Sequence, residues 1–396
     1  MAGLPLEGVT VLDFGQVYNG PYCGFLLGQA GARVIKVESP LGETLRGRAK
    51  TTAASYPFAL LNAGKACITL NIKSPEGQQL LKRVARQVDV VLENFSPGTM
   101  ARHGVGAEAL RAENPQLIYA ASTGFGSTGP YRDYLGMDIT LQAMTGVMTI
   151  TGQDGAPPTK AGPALADFMG GVHLFGAIVA ALYRRTVTGE GAVVDVSMQD
   201  CLFPALSTAL GAYFLAGHQP PRAGNRHPAL SAAPYNVYRA ADGHVAIICI
   251  REGHWRNLTR AMGRAELAER EDFADMAGRC RNMDALDAEV ERWTSSLPKA
   301  EVFRISQEHD VICAPVQSLE EVVNDPQLHA RGTLEWVDHP TLGRIAICHS
   351  PLRWQGAELP ALTEVPYLGA HNRDLYCSLF GLSEEELAAL EQSGAI

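Results

Sequence analysis

The chain has 396 residues, of which 46% are hydrophobic, 19% charged and 7% aromatic. At roughly 150 residues per domain this is a core-forming chain of two or three domains, which excludes a disordered or fibrous protein. Lys and Arg together number 33 against 42 for Asp and Glu, a net charge of −9 that speaks against a basic nucleic-acid surface.

The opening MAGLPLEGVTVLDF lacks a basic stretch followed by an apolar run, so no secretory signal is expected. Eight scattered cysteines with no CxxC pair suggest neither a disulfide framework nor a zinc site, and HExxH is absent. The expectation is a cytoplasmic protein without a bound metal. Residues 8–13 read as a strand, followed by the loop FGQVYNG and a helix from Pro21 to Gly31. Strands follow at 32–38, 66–70, 89–93 and 117–122, with an amphipathic helix at 75–87. Near-continuous apolar strands alternating with helices predict a parallel sheet covered on both faces. Residues 164–183 form the next helix. It is the most apolar stretch, read as buried rather than membrane-spanning because Asp167, His173 and three glycines interrupt it. A strand at 192–197 and a helix to 215 precede a Pro-, Gly- and Arg-rich linker at 216–228. Beyond it come a hairpin at 235–250 around Asp242-Gly243, a mostly helical run at 252–308, and short strands at 313–316 and within 332–353. A helix at 383–392 closes the chain, with Ser383 as N-cap and Glu386 at N3. The fold class is α/β: a large Rossmann-like domain from 1–215, completed by 331–396, and a linker with a smaller α+β domain at 216–330.

Two segments bear on chemistry. Gly124, Gly126 and Gly129 match GxGxxG after a strand. A dinucleotide site needs the last glycine to open a helix, yet Pro130 to Tyr134 carries no apolar helical face, so this is a glycine-rich loop. More telling is GPALADFMGGVH at 162–173. Asp167 stands where a loop becomes a long helix. An ordinary N-cap explains it, with no function attached. Equally, small neighbours and a helix N-terminus make it an accessible, ionised carboxylate able to act as a nucleophile.

At this point the sequence resembles the class III CoA-transferases (the CaiB/BaiF type), the group that includes formyl-CoA and carnitine CoA-transferases. The resemblance spans nearly the whole chain and rests on motifs in order: LEGVTVLDF with NGP, GARVIKVE, LNAGK with ITLNIKSPEG, DVVLENFSPG, STGFGSTGPY, the Asp167 segment, GNRHP, CAPV and YLGAHN. It implies that Asp167 attacks the thioester of a donor acyl-CoA. An aspartyl anhydride and then an aspartyl-CoA thioester carry CoA to a free carboxylic acid, with CoA a substrate and no permanently bound cofactor. It also implies an interlocked homodimer, with no nucleic-acid or membrane partner.

By the same resemblance, CoA contacts fall on Val17, Tyr18, Ser39, Leu70, Asn71, Lys73, Asn94, Phe95, Arg102, Met137 and Asp138. Tyr18 serves equally as a loop anchor, and Lys73 as a solvated surface lysine. Ser39 stands where some relatives carry an arginine. Arg102 suits a phosphate through its permanently charged fork. Met137 separates two branches, because α-methylacyl-CoA racemases carry a proton-moving histidine there and methionine moves no proton. His173, the substitute base, reads as a packed core histidine. Arg46 and Arg48 are candidates to pair with the second carboxylate of a dicarboxylic acid such as succinate, mesaconate or itaconate. Surface ion pairing explains them equally. CoA transfer is the expected activity and α-methylacyl-CoA racemisation the alternative.

Overall fold

Six parallel strands organise the larger part of the protein in a computed structural model that describes residues 3–47, 52–339, 342–363 and 365–396. They are β1 (Thr10–Asp13), β2 (Arg33–Glu38), β3 (Ala66–Thr69), β4 (Val90–Glu93), β5 (Ile118–Thr123) and β6 (Ala192–Ser197). Their order is β3-β2-β1-β4-β5-β6, and every neighbouring pair is parallel. This is the doubly wound arrangement. Chain direction across the sheet reverses between β1 and β4, where such sheets leave a crevice beyond the carboxyl ends of their strands.

Alternate side chains of each strand point to opposite faces, and two cores result. Leu12, Ile35, Val91 and Tyr119 join one core with Leu81, Val84, Tyr376 and Phe380. Their neighbours Val11, Val34, Val90 and Ile118 join the other with Cys23, Leu27, Leu174 and Ile178. The helices Pro75–Ala85 and Glu384–Ser393 therefore serve one face, and Asn19–Gln29 and Leu165–Thr188 the other. Ser383 and Glu386 form the expected capping box.

By internal contacts this unit comprises Met1–Thr145, Pro163–Leu202 and Asp325–Ile396, and a second comprises Gly146–Gly162 and Phe203–Asn324. The second holds the antiparallel strands β7 (Tyr235–Ala240), β8 (Gly243–Ile248) and β9 (Ile312–Pro315). Its core includes Tyr238, Ile247, Trp255, Phe273 and Val302. The hairpin's two-residue turn is Ala241-Asp242, one position before the expected pair.

Two expectations about the long helix change. It runs to Thr188, one turn beyond Tyr183, and stops where Gly189 takes φ 73°, the left-handed stop that glycine adopts without a Cβ clash. Nor is it simply buried. Over its apolar window, of mean hydropathy 1.7, only 39% is buried. Val172, Tyr183 and Val187 form an exposed apolar stripe along its outer side.

Candidate functional site

The loops that leave the carboxyl ends of β1, β4 and β5 enclose a cavity of about 350 Å³ at the topological switch point. Gln16 and Val17 come from the first loop, Asn94 to Pro97 from the second, and Gly124 and Tyr134 to Met137 from the third. Asp167 reaches the same cavity from the first turn of the helix Leu165–Thr188.

Asp167 is not the N-cap. That position belongs to Ala164, whose side chain caps nothing. The capping acceptor comes from 28 residues earlier: Asp138 Oδ1 accepts the Ala166 N–H at 2.8 Å. Asp138 Oδ2 accepts the Gln142 side-chain amide, also at 2.8 Å. Asp138 is itself in the first turn of the helix Asp138–Met144, so one carboxylate bridges two helix starts. The Asp167 carboxylate is thereby left free of capping duty at N3. Burial pushes its pKa up from 3.8 to about 7, and the nearby Asp138 charge adds to the rise. Desolvation here works against the stabilisation that the helix N-terminus lends the anion.

The height of Asp167 in the cavity is set by close packing of two helices. The Asn19 side-chain amide donates to the Asp167 carbonyl at 3.3 Å. A Cβ on Gly170 would lie 2.2 Å from that amide nitrogen, so only glycine permits the approach. Phe168 stacks on Tyr18 at 6.0 Å and meets Tyr22 edge-on at 4.9 Å. Tyr18 is the N-cap residue of Asn19–Gln29 and holds the two helix starts together.

The remaining sequence candidates follow strand ends on one edge of the sheet, because all six strands run the same way. Leu70, Asn71 and Lys73 follow β3, and Ser39 follows β2. Phe95 and Arg102 follow β4, and Met137 follows β5. Val17, Asn94, Phe95, Met137 and Asp167 meet in the cavity, whereas Ser39, Leu70, Asn71, Lys73, Arg102 and Asp138 are not among its lining. Leu70 is buried, Lys73 exposed, and Ser39 donates to the Gly42 carbonyl at 3.0 Å. Asn71 donates to the Gly394 carbonyl at 3.1 Å. The exposed Arg102 donates to the Pro97 carbonyl at 2.9 Å and to Thr99 Oγ1 at 3.0 Å. Asn94 Oδ1 accepts the Gln16 N–H at 2.7 Å.

Two expectations are displaced, and a third falls outside the described residues. Arg46 does not reach the cavity. Its guanidinium pairs with Glu38 at 2.7 Å, donates to the Pro366 carbonyl at 3.0 Å and lies 4.4 Å over the Phe58 ring. Burial raises the Glu38 carboxyl's pKa, but the Arg46 bonds outweigh it and the net displacement is downward. Arg48 lies outside the described residues. His173 is exposed rather than packed in a core, with Nδ1 2.8 Å from the Met169 carbonyl oxygen. Six residues past Asp167 is about 240° around an α-helix, so the two project in different directions. The GxGxxG segment behaves as the loop its composition suggests, since the next helix starts only at Asp138.

Sequence inspection missed Asn19, Gln142 and Ser122. Asn19 is fully buried, and its Oδ1 has no partner. The buried Ser122 hydroxyl at the cavity also has none. Asn19 could have been flagged by NGP in the shared motif; nothing local marks the other two.

Residues 6–372 match the model of CoA-transferase family III. The formyl-CoA:oxalate CoA-transferase of Streptomyces coelicolor is 34% identical, covering 100% of both chains. The succinyl-CoA–D-citramalate CoA-transferase of Chloroflexus aurantiacus is 35% identical over 99% of this chain and 98% of its own. A CaiB/BaiF family protein from Brucella suis superposes with a TM-score of 0.84 at 34% identity, covering 96% of this chain and 100% of its own. The doubly wound sheet with its cavity at the switch point, and a match running across almost the entire sequence, make this chain a member of CoA-transferase family III.

Proposed function

We propose that the protein moves CoA from an acyl-CoA donor to a free carboxylic acid through covalent intermediates on Asp167. The observation that carries this is a cavity-facing carboxylate released from capping by Asp138. The ionised Asp167 oxygen attacks the thioester carbonyl, and the carbon–sulfur bond breaks to leave an anhydride and CoA thiolate. The thiolate attacks the aspartyl carbonyl, giving an aspartyl-CoA thioester and releasing the donor acid. The acceptor carboxylate then attacks that thioester, displacing the thiolate to form a second anhydride. The thiolate attacks the acceptor carbonyl, breaking the anhydride to release the acceptor's CoA ester and free the Asp167 carboxylate. Each bond broken is replaced by one of the same kind, so the exchange is close to isoenergetic and consumes no other reactant. Asp167→Ala should abolish transfer of label from a free acid into its CoA ester while CoA still binds. Wild-type protein incubated with donor should carry an aspartyl adduct by mass spectrometry. Normal turnover in Asp167→Ala would refute the assignment.

The racemase alternative needs a second base across the substrate's α-carbon. Asp167 and Tyr134 are the only titratable groups among the described residues lining the cavity, which favours transfer. A dicarboxylate as one of the two acids is supported by relatives named for oxalate and D-citramalate. In this reading Arg48 pairs with the second carboxylate, since Arg46 is already engaged by Glu38. Arg48→Ala should then narrow the preference for di- over monocarboxylates, and an unchanged preference would rule it out. The exposed stripe of Val172, Tyr183 and Val187 supports self-association as a homodimer. Sedimentation should give about twice 42.5 kDa.

A further inference from the structure

Val17 lines the cavity at φ 63°, a left-handed backbone that a β-branched residue avoids because its Cβ crowds the carbonyl oxygen. Something must hold it there, and the backbone around it is bound almost wholly by side chains. The Gly15 N–H donates to Asp13 Oδ1 at 2.7 Å, and the Gly15 carbonyl accepts from Lys36 Nζ. The Gln16 N–H and carbonyl are both taken by the Asn94 amide, at 2.7 and 3.0 Å. The Val17 N–H donates to Glu43 Oε2 at 3.1 Å. Glu43 is fixed in turn: its Oε1 accepts the Leu45 N–H at 3.1 Å, and Lys36 Nζ lies 3.9 Å from Oε2. The Lys36 and Glu43 side chains are each 2% exposed.

Burying two charges costs desolvation that their attraction need not recover, so stability alone is a weak reason for this pair. Neither residue lines the cavity, but both grip the segment that does. We propose that the Lys36–Glu43 pair is a positioning device that holds Val17 in its left-handed conformation and so fixes the wall against which an acyl thioester is presented to Asp167. This inference rests on the proposed transfer reaction.

The test is a double-mutant cycle in the full-length protein. Glu43→Ala should lower kcat about tenfold or more, with KM for the acyl-CoA changed by less than about threefold, because geometry rather than affinity is lost. Glu43→Gln keeps an oxygen for the Val17 N–H but loses the charge that faces Lys36, so its kcat should fall between those of wild type and Glu43→Ala. Glycine adopts the left-handed region freely, so Val17→Gly should restore kcat of the Glu43→Ala protein by about fivefold. An unchanged kcat in Glu43→Ala, or additive losses without rescue, would overturn the inference. Should Glu43→Ala fail to fold, Lys36→Met takes its place in the cycle with the same expected rescue. If the wild type moves no CoA between acids, the transfer reading falls by itself. The cycle is then read from urea-unfolding midpoints, where Val17→Gly should recover part of the midpoint lost in Glu43→Ala and simple additivity refutes the clamp.

Discussion

Asp167→Asn should stabilise the protein at alkaline pH while abolishing transfer. The Asp167 carboxyl is raised from 3.8 to about 7 by burial first and the Asp138 charge second. Between those two values the folded protein holds a proton that the unfolded chain has released, so stability falls as pH rises through this range. Above it the full cost of the buried anion is present. About three pH units at 1.36 kcal/mol each set that cost at about 4 kcal/mol, an upper figure because water in the cavity relieves part of it. Asparagine has the same shape and no charge to titrate. From pH 5 to pH 8.5 the wild type should therefore lose about 2–3 kcal/mol relative to Asp167→Asn. Urea titrations followed by circular dichroism at the two pH values measure this directly. Parallel pH dependence in the two proteins, or a less stable variant at pH 8.5, would refute the account of a carboxylate kept charged at the expense of the fold.

The same carboxyl predicts that kcat/KM rises with pH to a plateau, with a midpoint near 7. Asp138→Asn should move that midpoint to lower pH by less than half of the total rise, since burial is the larger cause; an unmoved midpoint in pH–rate profiles would exclude the electrostatic link. Arg46→Ala leaves the buried Glu38 carboxylate unpaired and should cost about 3 kcal/mol in urea unfolding, without altering acid selectivity. A changed selectivity would return Arg46 to the acid site. Gly170→Ala drives a methyl into Asn19 and should cost about 1–3 kcal/mol, and unaltered stability would show that the helix contact is loose.

Much of the sheet could be read from the chain. Apolar runs such as VVLE and RVIKVE marked buried parallel strands, and Asp167 stood out by its small neighbours. What local pattern could not show was partnership at a distance. Asp167 looks like a cap because an acidic residue near a helix start usually is one, but the acceptor is Asp138, brought in from another helix. Arg46 looks available although its partner Glu38, at the end of β2, is only eight residues earlier, because an intervening loop hides the pairing from local pattern. His173 was expected in a core because its neighbours are apolar, yet that face of the helix is open. The strain at Val17 has no sequence signature, since valine is the last residue that composition would assign to a left-handed position.

The cavity draws its walls from residues as far apart as Gln16 and Met198. Loop closure over such spans is slow and comes late compared with local helix formation. A nascent chain on the ribosome therefore has no working centre until some two hundred residues have emerged and β6 has docked at the sheet edge. A chain cut short before β6 would lack the Met198 wall and with it the complete cavity.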